Sequence, residues 1–388
     1  MITYKELNNK AKELEKKTGL QHLDIYRRFM FERILERISV SNYSENFILK
    51  GGLLLSAMFG IESRNTRDID ISIKGIDVSK EKMVEVLNEI LSIKLEDNIK
   101  FEVVNITDIR QDDEYGGNKY HITGKLENLT VPLEIDISTG DEIIPRQLKF
   151  DYYSLFEDKT IHIDSYNIET ILSEKIETVL RRTLYNGRMK DFYDIYIFLT
   201  KFKNDINISD FKKAFNNTLT NRNALDYLKD YNQIFDEMLE YETLKNTWNK
   251  YSNKNKYAEN IEFDEIIKVL RNFIKDLVYL VWTDVNTGNK YKVAELYKQE
   301  NTFYFKYILD NVKEAQKVGF KLLVAFPQIN ALYDNPKLFA NFAARLPEST
   351  RPEIKKILEI YGMTEYDDFE LLKRSGAKLP TDNYEFVR

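Results

Sequence analysis

The stretch Lys50–Lys74, KGGLLLSAMFGIESRNTRDIDISIK, decides how the chain is read. It joins a Gly51-Gly52 turn, an apolar run from Leu53 to Phe59 of about two helical turns, an arginine-bearing loop from Ser63 to Arg67, and a strand carrying Asp68 and Asp70. Side chains alternate faces along a strand, so Asp68 and Asp70 point the same way, with Ile69 and Ile71 on the opposite layer. Two like charges held that close are costly unless a cation lies between them. Asp-x-Asp alone is common at solvated strand ends; placed about sixteen residues after a Gly-Gly turn it is far more specific. The helix opens right after the glycines, so its first N–H groups lack partners and form a phosphate cradle, to which Lys50 adds a cation. The combination points to a site for a divalent metal and a nucleoside triphosphate.

Working outward, Phe47-Ile48-Leu49 reads as a short buried strand leading into the turn. Residues 21–39 place Leu23, Tyr26, Met30, Ile34, Leu35 and Ile38 at helical spacing. The other face of that helix, with Arg27, Arg28, Arg33, Arg37, Glu32 and Glu36, reads as solvated and partly self-paired. Residues 79–94 form an amphipathic helix and 101–106 a strand. Asp112 to Asn118 is an acidic hairpin tip, followed by strands at 119–126 and 129–138. The second of these, VPLEIDIS, puts Glu134 and Asp136 on one face and so offers a third carboxylate; alternation does not choose between them. Gly140-Asp141 ends it. Helices follow at 168–184, from Arg188 onward, and over 208–219, 222–251 and 263–280, with Asn246 to Asn260 read as a connector. After about residue 278 an apolar/polar alternation around Asn-Thr-Gly-Asn predicts a small antiparallel sheet, then short helices.

A second informative region runs from Glu174 to Asp194. Lys175, Arg181, Arg182, Arg188 and Lys190 gather near a helix–turn–helix corner, and Asp191 and Asp194 share a helix face. Lys175 lies between Leu172, Ile176 and Val179, where a lysine is rare without a partner or a task. Two readings compete: cations holding a triphosphate opposite the carboxylates, or an ion-pair network locking two helices together. The first constellation favours the former.

Composition narrows the chemistry. The chain has 388 residues, 43% of them apolar and 31% charged, which suits a globular protein of two or three domains. With no cysteine, thiolate catalysis and zinc–thiolate sites are excluded. The three histidines, His22, His121 and His162, do not cluster, which argues against a Ser-His-Asp hydrolase. A net charge of −6 argues against wholesale polyanion binding yet allows a local basic patch. No signal-peptide pattern and no run near the roughly 18 apolar residues of a membrane span is seen, so a cytoplasmic protein is expected.

Taken together, KGGLLL…RNTRDIDISIK, VPLEIDIS and SEKIETVLRR…NGRMKDFYDIYIF resemble the AbiEii/AbiGii toxin family over roughly residues 15–275. These are nucleotidyltransferase-like toxins with a DNA-polymerase-β-type core, found in bacterial abortive-infection and type IV toxin–antitoxin systems. The resemblance implies that Gly51, Gly52, Asp68 and Asp70 bind metal and nucleotide, and that Lys175, Arg188, Lys190, Asp191 and Asp194 complete the site. Related toxins transfer nucleotides to the 3′ ends of tRNA, and some are described as GTP-binding. One departure is that the family's glycine-serine turn is Gly51-Gly52-Leu53 here, without the hydroxyl.

The expected architecture is therefore α+β: a polymerase-β-like nucleotidyltransferase core (1–165), a helical domain completing the site (166–277) and an accessory α+β domain (278–388). Asp68, Asp70 and Asp136 would hold two Mg²⁺ ions. Lys50, Gly51, Gly52, Arg64, Arg67, Lys175, Arg188, Lys190 and Asp194 would bind the NTP, and Asp191 would act as base or orient Lys175. Expected partners are an RNA acceptor, above all tRNA, and a separately encoded antitoxin, in a growth-arresting antiviral system. Two other classes are a small-molecule, aminoglycoside-type nucleotidyltransferase, which an acidic cleft would favour, and a non-catalytic nucleotide-binding regulator.

Overall fold

The computed structural model describes residues 2–109, 117–139, 142–275, 278–299 and 302–387. The acidic segment at 112–116 and Gly140-Asp141 lie outside them. Two compact units are present, 1–267 and 268–388, with the division inside a helix, Phe263–Lys275.

The first unit is built on a seven-stranded mixed sheet among the described residues. In chain order it begins with helices α1 (Tyr4–Thr18) and α2 (His22–Ser39), strand β1 (Phe47–Lys50), helix α3 (Gly51–Phe59), strand β2 (Ile69–Ile73) and helix α4 (Lys80–Leu91). Strands β3 (Lys100–Asp108), β4 (Gly117–Leu126), β5 (Leu129–Ser138), β6 (Leu148–Tyr153) and β7 (Thr160–Ser165) follow. The sheet order is β3-β4-β5-β2-β1-β7-β6. β2 runs parallel to β5, and that register sets Asp70 directly beside Asp136. β1 runs antiparallel to β2, with Lys50 opposite Asp70. The hairpin β6–β7 is absent from the sequence reading above, although Ile161 and Ile163 alternate; β7 closes the sheet by pairing parallel with β1.

Ile69, Ile71, Ile135 and Ile137 are buried on one face of the sheet, and α2 packs against β5 and β7. Each such side chain contributes about 1.5–3 kcal/mol by leaving water. The expected solvated face of α2 is not found. Arg28, Glu32, Arg33, Glu36 and Arg37 are all buried, because helices α1 and α4 and the segment from Ser154 to Lys159 cover α2 in addition to the sheet. Their charges are matched locally. Arg37 makes two hydrogen bonds to Asp97, at 2.7 and 2.9 Å, and Arg33 donates to Glu157 at 2.6 Å.

Beyond the sheet come α5 (Ile168–Arg182), α6 (Met189–Lys201), α7 (Ile208–Asn221), α8 (Leu225–Lys229), α9 (Tyr231–Glu240), α10 (Glu242–Lys254) and α11 (Phe263–Lys275). The segment expected as a connector is helical as far as Lys254, anchored by the fully buried Trp248, whose indole N–H donates to the Ile261 carbonyl at 2.8 Å. In the second unit, strands β8 (Val278–Thr283), β9 (Lys290–Gln299), β10 (Thr302–Tyr307), β11 (Leu332–Asn335) and β12 (Tyr384–Val387) form an antiparallel sheet in the order β11-β10-β9-β8-β12. Short helices accompany it, and the rings of Phe305 and Phe326 stack at 4.0 Å in its own core. The expected α+β architecture with a small C-terminal sheet is thus what the chain adopts.

Asp97→Ala is expected to lower unfolding free energy by about 3–5 kcal/mol, because the buried Arg37 guanidinium loses its partner. Removing both charges in Arg37→Met/Asp97→Leu should recover most of that loss in the same chemical-denaturation experiment. Equal stability of the single variant and the parent would refute the pairing.

Candidate active site

β2, the bend just before it and β5 deliver three carboxylates to one place. One carboxylate oxygen each from Asp68, Asp70 and Asp136 lie within 4.8 Å of one another. Asp136 belongs to this group, whereas Glu134, two residues back on the same face, is held by Lys119 at 2.7 Å. The Thr66 hydroxyl donates to Asp68 at 2.6 Å and fixes its orientation. Burial, and then the charge of Asp68, raises the pKa of Asp70 against the opposing pull of the Gly52 N–H and Lys50. Burial and the charge of Asp70 push Asp136 up to about 6, although Lys119 lies 3.0 Å away. Desolvation and mutual repulsion therefore outweigh the nearby cations. Three carboxylate oxygens this close together, two of them on groups whose charged form is disfavoured, are what a divalent cation relieves, so these residues fit one.

The Gly-Gly turn is shaped around Asp70. Gly51 has φ +62°, and a Cβ there would lie 2.0 Å from Asp70 Oδ2. The Gly52 N–H donates to that same oxygen at 3.0 Å. This corrects the expectation of a free cradle, since one of the N–H groups at the start of α3 is already committed to the carboxylate. A Cβ on Gly52 would lie 2.4 Å from the Thr66 hydroxyl oxygen.

A cleft of about 350 Å³ opens in front of the carboxylates. Its sheet side carries Lys50, Gly51, Asp68, Asp70, Asp136 and Ser138. Its helical side carries Glu174, Lys175, Thr178, Arg181 and Arg182 from α5, with Arg188, Asp191 and Arg222. Asn167 caps α5 by accepting from the Thr170 N–H at 2.8 Å, which fixes where the helix starts. Lys50 donates to Ser138 at 3.0 Å and lies over the Tyr166 ring.

Lys175 sits between two buried carboxylates, 2.6 Å from Asp191 and 2.9 Å from Asp194. Arg188 binds the other oxygen of Asp191 at 2.6 Å, and Arg64 binds Asp194 at 2.8 Å. Desolvation alone would lower the pKa of Lys175; the two aspartates outweigh it and raise its pKa. Lys175 and Arg188 likewise hold the Asp191 carboxyl well below the usual range against its burial. The region is thus an ion-pair network, and two of its cations, Lys175 and Arg188, also line the cleft.

Four expected nucleotide contacts are placed differently. Arg64 and Asp194 are buried behind the cleft wall and paired with each other, so they brace Lys175. Arg67 turns away, 3.2 Å from the buried Asp24. Lys190 is exposed and is absent from the cleft lining. Lys50, Gly51, Lys175, Arg188 and Asp191 do line the cleft. Missed by sequence reasoning were Arg222 and the buried Glu177, which holds Arg181 at 2.7 Å and Arg222 at 2.6 Å. The spacing 174, 175, 178, 181, 182 marks one helical face and was readable. Arg222, at the end of α7, had no local signal.

The model of a family described as nucleotidyl transferase AbiEii toxin, type IV toxin–antitoxin system, matches residues 33–269. The chain belongs to this family, and its activity is that of a nucleotidyltransferase. Among solved structures, JHP933 from Helicobacter pylori aligns at 13% identity over 66% of this chain and 92% of its own, with a TM-score of 0.40. A candidate nucleotidyltransferase from H. pylori aligns at 15% identity over 66% and 95%, with a TM-score of 0.39. No curated protein matches the chain. Among the described residues, no helix is long and apolar enough to cross a membrane.

Gly51→Ala should abolish nucleotidyl transfer and lower stability by about 1–3 kcal/mol, since the new methyl meets Asp70 on a left-handed backbone. An active, parent-like variant in a labelled-NTP assay would contradict this. For Asp136, the folded pKa lies above the ordinary carboxylate value, so its ionisation destabilises the metal-free fold. That cost is absent near pH 4, grows up to about pH 6, and is full above it. Metal-free Asp136→Asn should therefore be more stable than the parent at pH 7.5, by about 1–3 kcal/mol, and nearly equal at pH 4. Saturating Mg²⁺ should stabilise the parent more than the variant in thermal melts; equal gains would refute a metal-binding role for Asp136.

Proposed function

We propose that the protein transfers a nucleotidyl group from an NTP to a hydroxyl of an RNA acceptor, tRNA above all, with Mg²⁺, and that a separately encoded antitoxin restrains it in the cytoplasm. The observation that carries this reading is the convergence of Asp68, Asp70 and Asp136 opposite a wall of buried-carboxylate-held cations. Family membership supports the toxin and antitoxin part; the RNA acceptor rests on the resemblance to tRNA-modifying relatives set out above.

Asp68, Asp70 and Asp136 would hold the metal, two ions in the fullest form of the site. Bound there, it would supply Lewis acidity toward the attacking hydroxyl and charge neutralisation at the leaving group. The acceptor oxygen bonds to the α-phosphorus, the bond from that phosphorus to the β-phosphate bridging oxygen breaks, and pyrophosphate leaves with the electron pair. The hydroxyl proton passes to solvent water. Lys175, kept charged by Asp191 and Asp194, and Arg188, held by Asp191, face the departing pyrophosphate. Asp191 is an orienting residue in this account, because a carboxylate that binds a proton so weakly is a poor base. Arg181 on α5 and Arg222 at the end of α7, both held by Glu177, extend the cationic wall.

Purified protein incubated with each labelled NTP, Mg²⁺ and total RNA should label tRNA-sized RNA, and Asp68→Ala/Asp70→Ala should label nothing while still folding. Tight NTP binding with no labelled acceptor would replace this reading with a nucleotide-binding regulator. Labelling confined to an added aminoglycoside would replace it with a small-molecule transferase.

A further inference from the structure

A second cleft, of about 340 Å³, lies on the same sheet face as the carboxylates; Arg27, Arg67, Val104, His121, Thr123 and Glu134 are among its lining residues. Arg67 immediately precedes Asp68, and Glu134 lies two residues before Asp136 on β5, roughly 7 Å along the strand. Ser138, two residues beyond Asp136, lines the first cleft. Along β5 the two clefts therefore flank Asp136 on opposite sides.

We propose that this second cleft is the acceptor site, and that Arg27 and Arg67 take backbone phosphates of a single-stranded RNA end whose hydroxyl reaches the carboxylate triad. The inference rests on the nucleotidyl-transfer reading above. In phosphoryl and nucleotidyl transfer the attacking and leaving oxygens lie roughly in line across the phosphorus. The cations suited to pyrophosphate, Lys175 and Arg188, are in the first cleft. The attacking hydroxyl must then arrive from the other side of the triad, where the second cleft begins.

The site is built for an anion. Asp24, itself buried, holds Arg27 at 2.8 Å and Arg67 at 3.2 Å, so one carboxylate fixes both guanidinium groups at the rim. Arg27 is pinned further by the Pro132 carbonyl at 3.3 Å. Fixed guanidinium forks match phosphate oxygens with little loss of side-chain freedom. On the floor, His121 lies 3.1 Å from the Thr107 hydroxyl, and exposed Val104 offers an apolar surface to a base. Among the described lining residues Glu134 is the one carboxylate, and Lys119 neutralises it. A polycationic small-molecule acceptor would need the opposite lining. A strand end fits better than a duplex flank, because the hydroxyl must pass Glu134 by several ångströms to reach the triad.

The test measures binding of a fluorescein-labelled ten-nucleotide single-stranded RNA by anisotropy across a salt series, without NTP. In parallel, NTP affinity and the KM for total tRNA are measured. Arg27→Ala/Arg67→Ala should weaken oligonucleotide binding about tenfold or more at low salt and make the log–log salt slope shallower by roughly 0.7 per lost phosphate contact. The KM for tRNA should rise by a similar factor with NTP affinity within about twofold of the parent. Since that variant leaves Asp24 unpaired, Thr123→Glu serves as a second probe: it keeps the Arg27–Asp24–Arg67 group and should weaken RNA binding in the same direction. Parent-like oligonucleotide binding by both variants, or loss of NTP binding together with RNA binding, would overturn the proposal. Failure of the parent to label any RNA would sink the RNA-transfer reading alone. A parent that also fails to bind the oligonucleotide would sink the acceptor cleft.

Discussion

Repulsion among three half-buried carboxylates is the constraint around which the first unit is arranged. Asp70 and Asp136 are neighbours because β2 and β5 run parallel in register, and Asp68 enters from the preceding loop. Nothing in the sheet requires that placement for stability. The raised proton affinities of Asp70 and Asp136 show that the metal-free arrangement is unfavourable. The chain offsets part of this strain locally. The Gly52 N–H donates to Asp70, Gly51 leaves room for that carboxylate, Thr66 steadies Asp68, and Lys119 stands beside Asp136. The remainder is what a divalent cation would relieve. Stability surrendered at one place for chemistry is the usual mark of a functional site.

The opposite wall solves the converse problem. A lysine in a desolvated position tends to lose its proton, which would remove the charge that the proposed reaction calls for at the leaving group. Asp191 and Asp194 prevent this, and each is shared with an arginine, Arg188 in front and Arg64 behind. The network therefore ties two helices together and, in the proposed reaction, also holds cations at the cleft. Its members differ in what they can touch: Lys175 and Arg188 reach the cleft, whereas Arg64 and Asp194 only hold them in place.

Much of this was legible in the sequence. Period-two alternation placed Asp68, Asp70, Glu134 and Asp136, and helical spacing placed Lys175, Asp191 and Asp194. Strand register, which selects Asp136 over Glu134, was not legible, because it depends on pairing between β2 and β5 about sixty residues apart. The charged side of α2 misled for a related reason: Arg37 and Glu32 look solvated until Asp97 and Ser154 arrive from distant segments to satisfy them. Arg64 and Arg67 are three residues apart with the same charge, yet one is buried on Asp194 and the other held at a second cleft by Asp24. Composition cannot separate such a pair; only the tertiary partner does. The β6–β7 hairpin shows the reverse failure: its alternation around Ile161 and Ile163 and the turn residues Ser154 to Asp158 between its strands were both visible and were passed over.

The central claim is that Asp68, Asp70 and Asp136 exist to share a divalent cation. It is tested most directly by anomalous diffraction from crystals soaked in Mn²⁺ with a non-hydrolysable NTP. The account predicts an anomalous peak at about 2.0–2.3 Å from oxygens of all three aspartates, with the triphosphate between that peak and Lys175. Density for manganese elsewhere, or a triad bridged only by the Lys119 ammonium while the nucleotide is bound, would contradict it.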